Sequence, residues 1–564
     1  MPTSAPTAGP RADLRPAHAA PVQRIDGHVV RPLLLAALVT GGAADLLLRS
    51  DGVGAPLAAW LLLLTVTLGA LQHRGLGQLP RGVLPLLTVA GASAILIGVR
   101  DASMLTFVNA LTALSALALA AATGRPGSTF DIARTRVYDG LIACVRVVPG
   151  ALVGAIPFAL LDVWPSLALP ARHRYAAGLL LRAVAMSLVA AGGSLLLLTD
   201  GDPVFAMLVS RWLVFPVDLA PLARHLVFTG VFAWISAGLL APAMRPSPEL
   251  PARSLLAPRL SRLDVAALLG GLNVVFAAFI AAQLRLLFGG RAYLHSVTGL
   301  TLTEYARHGF FTLEVVGGAA LLGLLAMHAM LALDSPGIHA TFRRLATVTL
   351  VLTATILASA AVRMGLYVEE FGLTADRLYT FAAMLWMTLA FGWLRFTTLG
   401  LRPHQFTIGA LAAAWGIQLA LNLVNPEQLV VAVNARRALR GKPFDLAHAV
   451  NGLSADAVPG LVRLLTAPGA PVMAQAERRD GTAPCVWVRQ LLERWSPRDA
   501  SHAVPHTHAH GWTVADARAH AAVAANAAQL RAMSCPGGAP RTRVPPTAPP
   551  AGTTPELVAP PGDR

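Results

Sequence analysis

Charge is scarce in this sequence. Charged residues occupy 13% of the 564 positions and hydrophobic residues 55%, whereas soluble domains carry about 25% charged residues. Lysine is almost absent: Lys442 is the single lysine, so nearly all of the formal net charge of +16 comes from arginine. This shortage of charge excludes a soluble globular enzyme and a disordered chain.

Cysteine and the common catalytic motifs are scarce as well. Three cysteines, Cys144, Cys485 and Cys535, are too few for a disulfide-stapled secreted domain. The sequence has no Walker A loop, no H-E-x-x-H zinc helix, no G-x-S-x-G elbow and no kinase motif set. We therefore predict no catalytic, cofactor-binding or metal-binding residues and no cofactor, and we leave enzymatic activity undecided with a preference against it.

Long apolar segments fill the first three quarters of the chain. Segments of this length and composition are typical of membrane-spanning helices. We predict an all-α fold, a polytopic membrane protein with about eleven transmembrane helices and a small helical C-terminal tail. The predicted spans lie near 32–48, 54–72, 82–99, 103–122, 178–199, 224–243, 265–288, 311–333, 345–364, 377–398 and 405–424.

The distribution of arginine predicts the topology. With eleven spans and a cytoplasmic N-terminus, most arginines between the spans lie inside, as the positive-inside rule requires. A twelfth apolar segment, 147–164, contains Pro149 and Pro157, and counting it as a span would turn the arginine-rich loop 245–262 outward. We therefore place 147–164 at the inner interface or in a short hairpin. The prediction is a multi-pass cell-membrane protein with an extracytoplasmic C-terminus.

Most arginines lie between apolar segments, where they determine topology, so the basic balance does not predict nucleic acid as a partner. The predicted partners are the lipid bilayer and an unknown small molecule or envelope component. The predicted domains are a disordered cytoplasmic tail, the transmembrane helical domain, a mostly helical extracytoplasmic tail and a disordered Pro-rich end, at 1–30, 31–424, 425–535 and 536–564 respectively.

Within the tail, local signals predict several short helices. The first begins at Asn425-Pro426-Glu427, because proline is favoured at the first helical position. Others are predicted over 486–496 and, after Thr513, over 514–533. Cys485 and Cys535 both lie in this tail, where a disulfide is chemically allowed. Their separation in sequence leaves the pairing open.

A histidine run lies near the end of the tail. Alternating imidazoles can hold zinc or copper, while the simpler interpretation is a flexible polar linker with incidental metal affinity. We prefer the linker and predict no metal site at these residues, which are His502, His506, His508 and His510.

Ionisable residues at membrane depth are costly and usually have a partner or a function. Several polar residues fall at similar depth near the outer ends of spans seven to eleven and in the loop 289–310. The functional interpretation is an outward-facing polar pocket; the alternative is a set of ion pairs that tie helix ends together, with Arg363 as the expected partner of Glu314. The candidate residues are Gln283, Arg285, Glu304, Tyr305, Arg307, Glu314, Arg363, Glu369, Glu370 and Arg377.

Four segments around these residues resemble a known group of bacterial membrane proteins. They are 273–276 (NVVF), 302–311 (LTEYARHGFF), 367–374 (YVEEFGLT) and 377–379 (RLY), with 425–427 (NPE) and 453–459 (LSADAVP) in the tail. The sequence resembles domain-of-unknown-function family 4173, which overlaps with family 4153. The resemblance covers 260–466 well and 30–243 by span pattern, and it implies an architecture and a compartment but no reaction.

Three hypotheses for function follow from these observations. The first is non-ATP-driven transport or handling of an envelope component, with the outward pocket as its site. The second is a membrane sensor or scaffold that binds a partner through its outer tail. The third is an enzyme that acts on a lipid-linked substrate. A polar path that reaches the inner side would favour transport. A closed bundle with a structured tail would favour the scaffold. A blind outer pocket with paired carboxylates would favour the enzyme.

Overall fold

The computed structural model describes most of the chain between residues 24 and 535. The described ranges are 24–51, 53–128, 144–145, 147–166, 220–246, 260–298, 310–331, 336–400, 405–469, 471–476, 483–496 and 511–535, with residue 140 and scattered positions between 179 and 207. Within these ranges the chain is helical and has no β-strand, which confirms the all-α prediction. The histidine run and the Pro-rich end lie outside them.

Ten long helices precede the tail in the part of the chain that the structure describes. They are α1 (Gly27–Asp51), α2 (Ala55–Leu76), α3 (Val83–Val99), α4 (Ser103–Thr123), α5 (Ala220–Met244), α6 (Arg262–Thr298), α7 (Phe310–Ala329), α8 (Pro336–Phe371), α9 (Ala375–Phe396) and α10 (Phe406–Val424). Helix α1 begins inside the segment 1–30, which the sequence predicts to be disordered.

Nine helices of the described part are long and apolar enough to cross a membrane. Eight of them coincide with predicted spans, and α3 is a shorter apolar helix at a further predicted span. Helix α9 matches the predicted span 377–398 but is not one of the nine; it carries Asp376, Arg377 and Arg395 near its ends. The predicted span 178–199 lies largely outside the described residues.

The ninth of these helices is Pro149–Ser166, within the segment that the sequence places at the inner interface. It is a succession of helical turns from Val147 to Ser166 with a π-helical stretch, Phe158–Val163, so the alternative of a hairpin within 147–164 is wrong. The segment packs against the second half of α5: the indole of Trp234 donates to the Leu152 carbonyl at 2.8 Å.

Two groups of helices form the bundle. Helices α1 to α5 and the 147–166 segment enclose two apolar clusters. Helices α6 to α10 enclose a third. Helix α10 joins the groups, because Phe406 and Ala410 belong to the second core while Leu411 and Trp415 pack against the first. The bundle is therefore continuous through α10.

Close backbone contacts define the packing in the first group. Helices α1 and α5 are antiparallel, and a Cβ at Gly41 would lie 2.6 Å from the Thr229 carbonyl oxygen. A Cβ at Gly238 would lie 2.5 Å from the Ala151 carbonyl oxygen of the 147–166 segment. Glycine at these positions lets the helices approach more closely than any side chain would allow.

The described residues of the tail form seven short helices and one 3₁₀ turn. They are α11 (Pro426–Ala438), α12 (Leu446–Asn451), the turn Ala455–Ala457, α13 (Val458–Leu465), α14 (Pro471–Ala474), α15 (Pro484–Trp495), α16 (Val514–Ala525) and α17 (Ala527–Met533). The predicted starts are confirmed: Pro426 opens α11, and Thr513 caps α16 through a capping box with Asp516. The predicted helix 514–533 is interrupted at Asn526.

The tail has an apolar core of its own. Residues from Val430 in α11 to Leu530 in α17 form one buried cluster, which is necessary because helices this short are not stable alone. A disulfide joins Cys485 and Cys535, with their Cα atoms 5.0 Å apart. The pairing that the sequence left open is present in the structure.

The tail covers one end of the bundle. Three helix junctions contact it: α1–α2 through Ala55, whose N–H donates to the Trp512 carbonyl at 2.9 Å, α3–α4 through Asp101, and α8–α9 through Leu373. Helix α10 runs directly into it. These three junctions and the tail therefore lie at the same end of the bundle.

Candidate functional site at the junction of bundle and tail

At the junction of bundle and tail, two aspartates accept backbone N–H groups from each other's segments. Asp456, in the 3₁₀ turn of the tail, accepts the backbone N–H groups of Asp101 and Ala102 at 2.7 and 3.1 Å. Ala102 is the N-cap residue of α4, and its side chain makes no capping hydrogen bond. In return, Asp101 Oδ2 accepts the N–H of Ala455 at 3.0 Å. The tail and the bundle therefore complete each other's backbone hydrogen bonds.

Arg100 adds a charge pair to this arrangement. It lies where α3 ends, with a side chain only 12% exposed, and its guanidinium donates to Asp456 Oδ1 at 3.0 Å. A second guanidinium nitrogen donates to the carbonyl of Asn422 near the end of α10. One arginine therefore joins α3, α10 and the tail, and loss of either charge would leave its partner buried and unpaired.

Asn425 makes the corner between the last span and the tail. Its backbone has a φ of 57°, the single positive φ among the non-glycine residues that the structure describes. Its side chain accepts the N–H of Gln428 at 3.2 Å as the cap of α11 and donates to the Asp456 carbonyl at 3.2 Å. Asparagine tolerates this left-handed conformation better than most residues, which explains its place at the turn.

Below the junction, amide side chains form a buried cluster between α4 and α10. Asn109 and Asn422 exchange two hydrogen bonds of 3.0 and 2.8 Å. Gln418 also donates to Asn109 Oδ1, and its amide nitrogen lies 3.5 Å from the Ser93 hydroxyl of α3. All four side chains are buried. They carry the polar contacts of the junction into the apolar part of the bundle.

Glu427 is the third carboxylate at the junction. It is buried in the first turn of α11, and its Oε2 accepts both the N–H and the hydroxyl of Ser454, at 2.8 and 2.6 Å. Desolvation by burial raises the pKa of Glu427 to about 7; the two hydrogen bonds from Ser454 oppose this rise, and the neighbouring carboxylates of Asp456 and Asp101 add to it. Glu427 can therefore gain or lose a proton near neutral pH.

The charges at the junction do not balance when every group is ionised. Asp101, Asp456 and Glu427 supply three negative charges, while Arg100 supplies one positive charge inside the contact. Arg494 of α15 is held nearby by a bond to the Val450 carbonyl at 3.2 Å, and Asp101 and Glu427 act on it electrostatically. A proton on Glu427 brings the five groups to neutrality. The arrangement can hold a proton and lock the tail to the bundle.

A second contact ties the α8–α9 junction to the tail. Asn434 accepts the Leu373 N–H and donates to the Leu373 carbonyl, both at 2.8 Å. Gly372 has a φ of 88°, and a Cβ there would lie 2.6 Å from a guanidinium nitrogen of Arg437. Arg437 donates to the carbonyls of Glu369 and Glu370, and Lys442 pairs with the Glu370 carboxylate at 3.0 Å.

These contacts place several residues of the predicted polar pocket. Glu369 and Glu370 lie at the tail contact, and Arg377 donates to the Gly372 carbonyl while its guanidinium lies 4.3 Å from the centre of the Tyr367 ring. Burial lowers the pKa of Arg437, and the carboxylates of Glu370 and Glu369 raise it in part. The end of α8 that faces the tail is therefore fixed to it by residues that the sequence predicted to line a pocket.

The remaining pocket residues lie deeper or outside the described part. Arg363 donates to Gln283 Oε1 at 2.7 Å, and Ser359 donates to the same oxygen at 3.0 Å, which joins α8 to α6. The expected pair with Glu314, which is half-buried in α7, is not formed among the described residues, because Arg363 turns towards Gln283. The structure describes neither the side chain of Arg285 nor Glu304, Tyr305 and Arg307.

The sequence analysis did not single out the junction residues as a site. Asn425, Glu427 and Asp456 fall within the family-like segments 425–427 and 453–459, whereas Arg100, Asp101 and Asn422 carried no signal of their own. The usable signal was polarity inside otherwise apolar helices: Asn109 and Gln418 interrupt α4 and α10. What the sequence could not indicate is that Asp101 and Asp456, 355 positions apart, meet.

The fold and the junction together define a multi-pass α-helical integral membrane protein with a folded helical tail covering one end of its bundle. A family model for a domain of unknown function, DUF4153, matches residues 86–464, which include the junction, and the chain belongs to this family. Comparisons with curated proteins and with solved structures gave no match.

Proposed function

We propose that the protein is a membrane sensor or scaffold that presents its tail to a partner, with the bundle as a rigid anchor. The observation that carries this proposal is the reciprocal capping of Asp101 and Asp456 with the buried Arg100 charge pair. A flexible tether would not need buried charges, which are costly unless they are fully paired. Such a junction suits a tail whose orientation relative to the membrane matters.

The proposal includes the topology predicted from the sequence. Eleven spans in the plasma membrane, with 147–164 not counted, would leave the N-terminus in the cytoplasm and the tail outside. The Cys485–Cys535 disulfide supports this orientation, because disulfides persist in oxidising compartments and are rare in the cytoplasm. The predicted domain limits at 30, 424 and 535 and the relation to family 4173 belong to the same proposal.

The second candidate function is non-ATP-driven transport or handling of an envelope component. Two polar contacts inside the bundle favour it: the amide cluster of Asn109, Gln418 and Asn422 and the Arg363–Gln283 bond. Polar groups at this depth mark substrate paths in many transporters. The predicted outward pocket around Gln283, Glu314 and Arg363 would be the site in that case.

A crosslinking experiment in cells tests the first candidate. A photoreactive amino acid at Leu439, which is 66% exposed on the tail, should give a discrete adduct with the partner. The matched control is Leu263, 78% exposed at the start of α6 at the opposite end of the bundle, which should give none. Leu439→Asp should then reproduce the phenotype of a deletion strain at normal protein abundance.

The second candidate predicts the reverse pattern. Leu439→Asp should leave the phenotype unchanged, and no adduct should form at this position. Gln418→Leu and Gln283→Leu should abolish function while the protein remains abundant and correctly inserted. That pattern would overturn the scaffold proposal.

A further inference from the structure

An open cleft of about 610 Å³ lies at the end of the bundle opposite the tail. It is formed where α1 begins and α2 ends, with the last turn of the 147–166 segment as its third wall. The residues that line it are Gly27, His28, Arg31, Pro32, Leu35, Arg74 and Ser166. None of these described lining residues is a carboxylate.

The cleft has a cationic rim and an apolar wall. His28, Arg31, Pro32 and Leu35 follow one another at spacings of three, one and three residues, which places them on one face of α1. Arg31 and, across the cleft, Arg74 supply the positive charge, and His28 lies one turn before Arg31, while Leu35, 64% exposed, continues the face one turn deeper. In the described part of the chain, Arg31 and Arg74 make no ion pair.

Asp162, a buried acid on the segment that forms the third wall, already has partners. Asp162, in the π-helical stretch, pairs with Arg245 and accepts the Ile25 N–H at 2.9 Å. This contact holds the third wall against the start of α1, and the carboxylate of Asp162 is paired with Arg245. Asp26 precedes α1, is exposed and does not line the cleft.

We propose that this cleft binds the phosphate-bearing headgroup of an anionic phospholipid, with the first part of an acyl chain against Leu35. Basic pockets between membrane helices at the cytoplasmic interface are suited to anionic headgroups. The guanidinium groups of Arg31 and Arg74 can bind a phosphate in a bidentate way. The apolar wall below them distinguishes a lipid from free phosphate, because inorganic phosphate would gain nothing from Pro32 and Leu35.

The test uses the full-length protein, purified in detergent and stripped of lipid. Binding of phosphatidylglycerol is followed by native mass spectrometry for the wild type and the variant Arg31→Gln/Arg74→Gln. We expect the variant to bind roughly thirtyfold more weakly, since each of the two basic residues contributes about 1 kcal/mol to anionic lipid binding. Phosphatidylcholine should bind both proteins weakly and equally.

The matched control is Arg343→Gln/Arg344→Gln. These two exposed arginines lie near the start of α8, at the same end of the bundle but outside the cleft. The control removes the same charge and should keep wild-type affinity. Equal losses in both double variants would show a diffuse surface effect and would overturn the proposal.

Two further arms separate the sources of phosphate. Leu35→Asn should weaken phosphatidylglycerol binding, and inorganic phosphate should compete only far above the lipid's own concentration range. If Leu35→Asn has no effect and inorganic phosphate competes as well as the lipid, the cleft is a site for soluble anions, and the lipid proposal is wrong. Circular dichroism of each variant confirms that loss of binding is not loss of fold.

Discussion

The charged residues at the two ends of the helix bundle have opposite arrangements. At the tail end, carboxylates of the tail and of the bundle accept each other's backbone N–H groups, and Arg100 is buried against Asp456. At the other end, Arg31 and Arg74 line an open cleft. One end uses its charges to hold two parts of the chain together, and the other leaves them available.

The difference follows from what covers each end. A helix start that is buried needs acceptors for its N–H groups, and at the tail end Asp456 supplies them for the entry to α4. Exposed ends obtain the same bonds from water and headgroups, so their side chains are free to bind other molecules. Arginine therefore has a structural role at one end and a proposed binding role at the other.

The largest effect is expected for Asp456→Ala. The change leaves Arg100 buried without its carboxylate and removes the acceptor of two backbone N–H groups. We expect a loss of about 3–5 kcal/mol in the free energy of unfolding of the tail. Thermal unfolding in detergent and hydrogen exchange of α11 to α13 measure it.

The control for this change is Lys442→Gln, which removes an exposed pair with Glu370 whose side chains are 42% and 59% exposed. Pairs of this kind contribute about 0–1 kcal/mol. A loss as large for Lys442→Gln as for Asp456→Ala would show that burial is not what distinguishes the junction.

The disulfide should have the next largest effect. It joins residues 50 positions apart within the tail, and loss of a crosslink of that span costs about 3–4 kcal/mol. Cys485→Ser/Cys535→Ser should make the tail sensitive to limited proteolysis while α1 to α10 stay protected. Cys144→Ser, at the one free cysteine, should change neither pattern; cleavage of the bundle in the double variant would contradict a separate tail core.

Glu427 predicts a pH dependence. Because burial raises the pKa of Glu427 to about 7 from an ordinary value near 4.5, the folded tail holds this proton more tightly than the unfolded chain. Its contribution to stability is present in full below the lower value, decreases as pH rises and is lost above pH 7. The groups that act on it are Ser454, Asp456 and Asp101.

The test compares Glu427→Gln with the wild type between pH 4.5 and 8. Glutamine keeps an acceptor for Ser454 and cannot ionise, so the variant should gain about 2–3 kcal/mol over the wild type at pH 8 and little at pH 4.5. Glu493→Gln, at a carboxylate 67% exposed, is the control and should follow the wild type. A constant difference at every pH would mean that Glu427 does not titrate in this range.

Local signals predicted much of the fold. Apolar runs identified most helices, proline marked the start of α11, and Thr513 marked the start of α16. The arrangement of junctions around the tail also follows from alternating spans. These features depend on residues that are neighbours in the sequence or on one rule of membrane insertion, so they can be predicted from the sequence alone.

The candidate site was harder to predict because it depends on how each helix is rotated about its axis and on how the tail docks on the bundle. Matching depth suggested that Arg363 pairs with Glu314, but depth says nothing about which face of a helix a residue occupies. Arg363 turns to Gln283 on α6 instead. Likewise, Asp101 has no visible partner in sequence, since Asp456 reaches it only after the tail has folded and docked.

The smallest effect is expected at the open end of the bundle. Arg31→Gln/Arg74→Gln removes two positive charges, as many as a double change at Arg100 and Arg494 would remove from the junction. Because Arg31 and Arg74 line the cleft without an ion pair in the described residues, the variant should change the free energy of unfolding in neutral detergent by less than about 0.5 kcal/mol. Thermal unfolding in that detergent measures it, and addition of phosphatidylglycerol should then stabilise the wild type more than the variant. A large loss in detergent alone would mean that these arginines hold the fold together as Arg100 does, and the contrast between the two ends would fail.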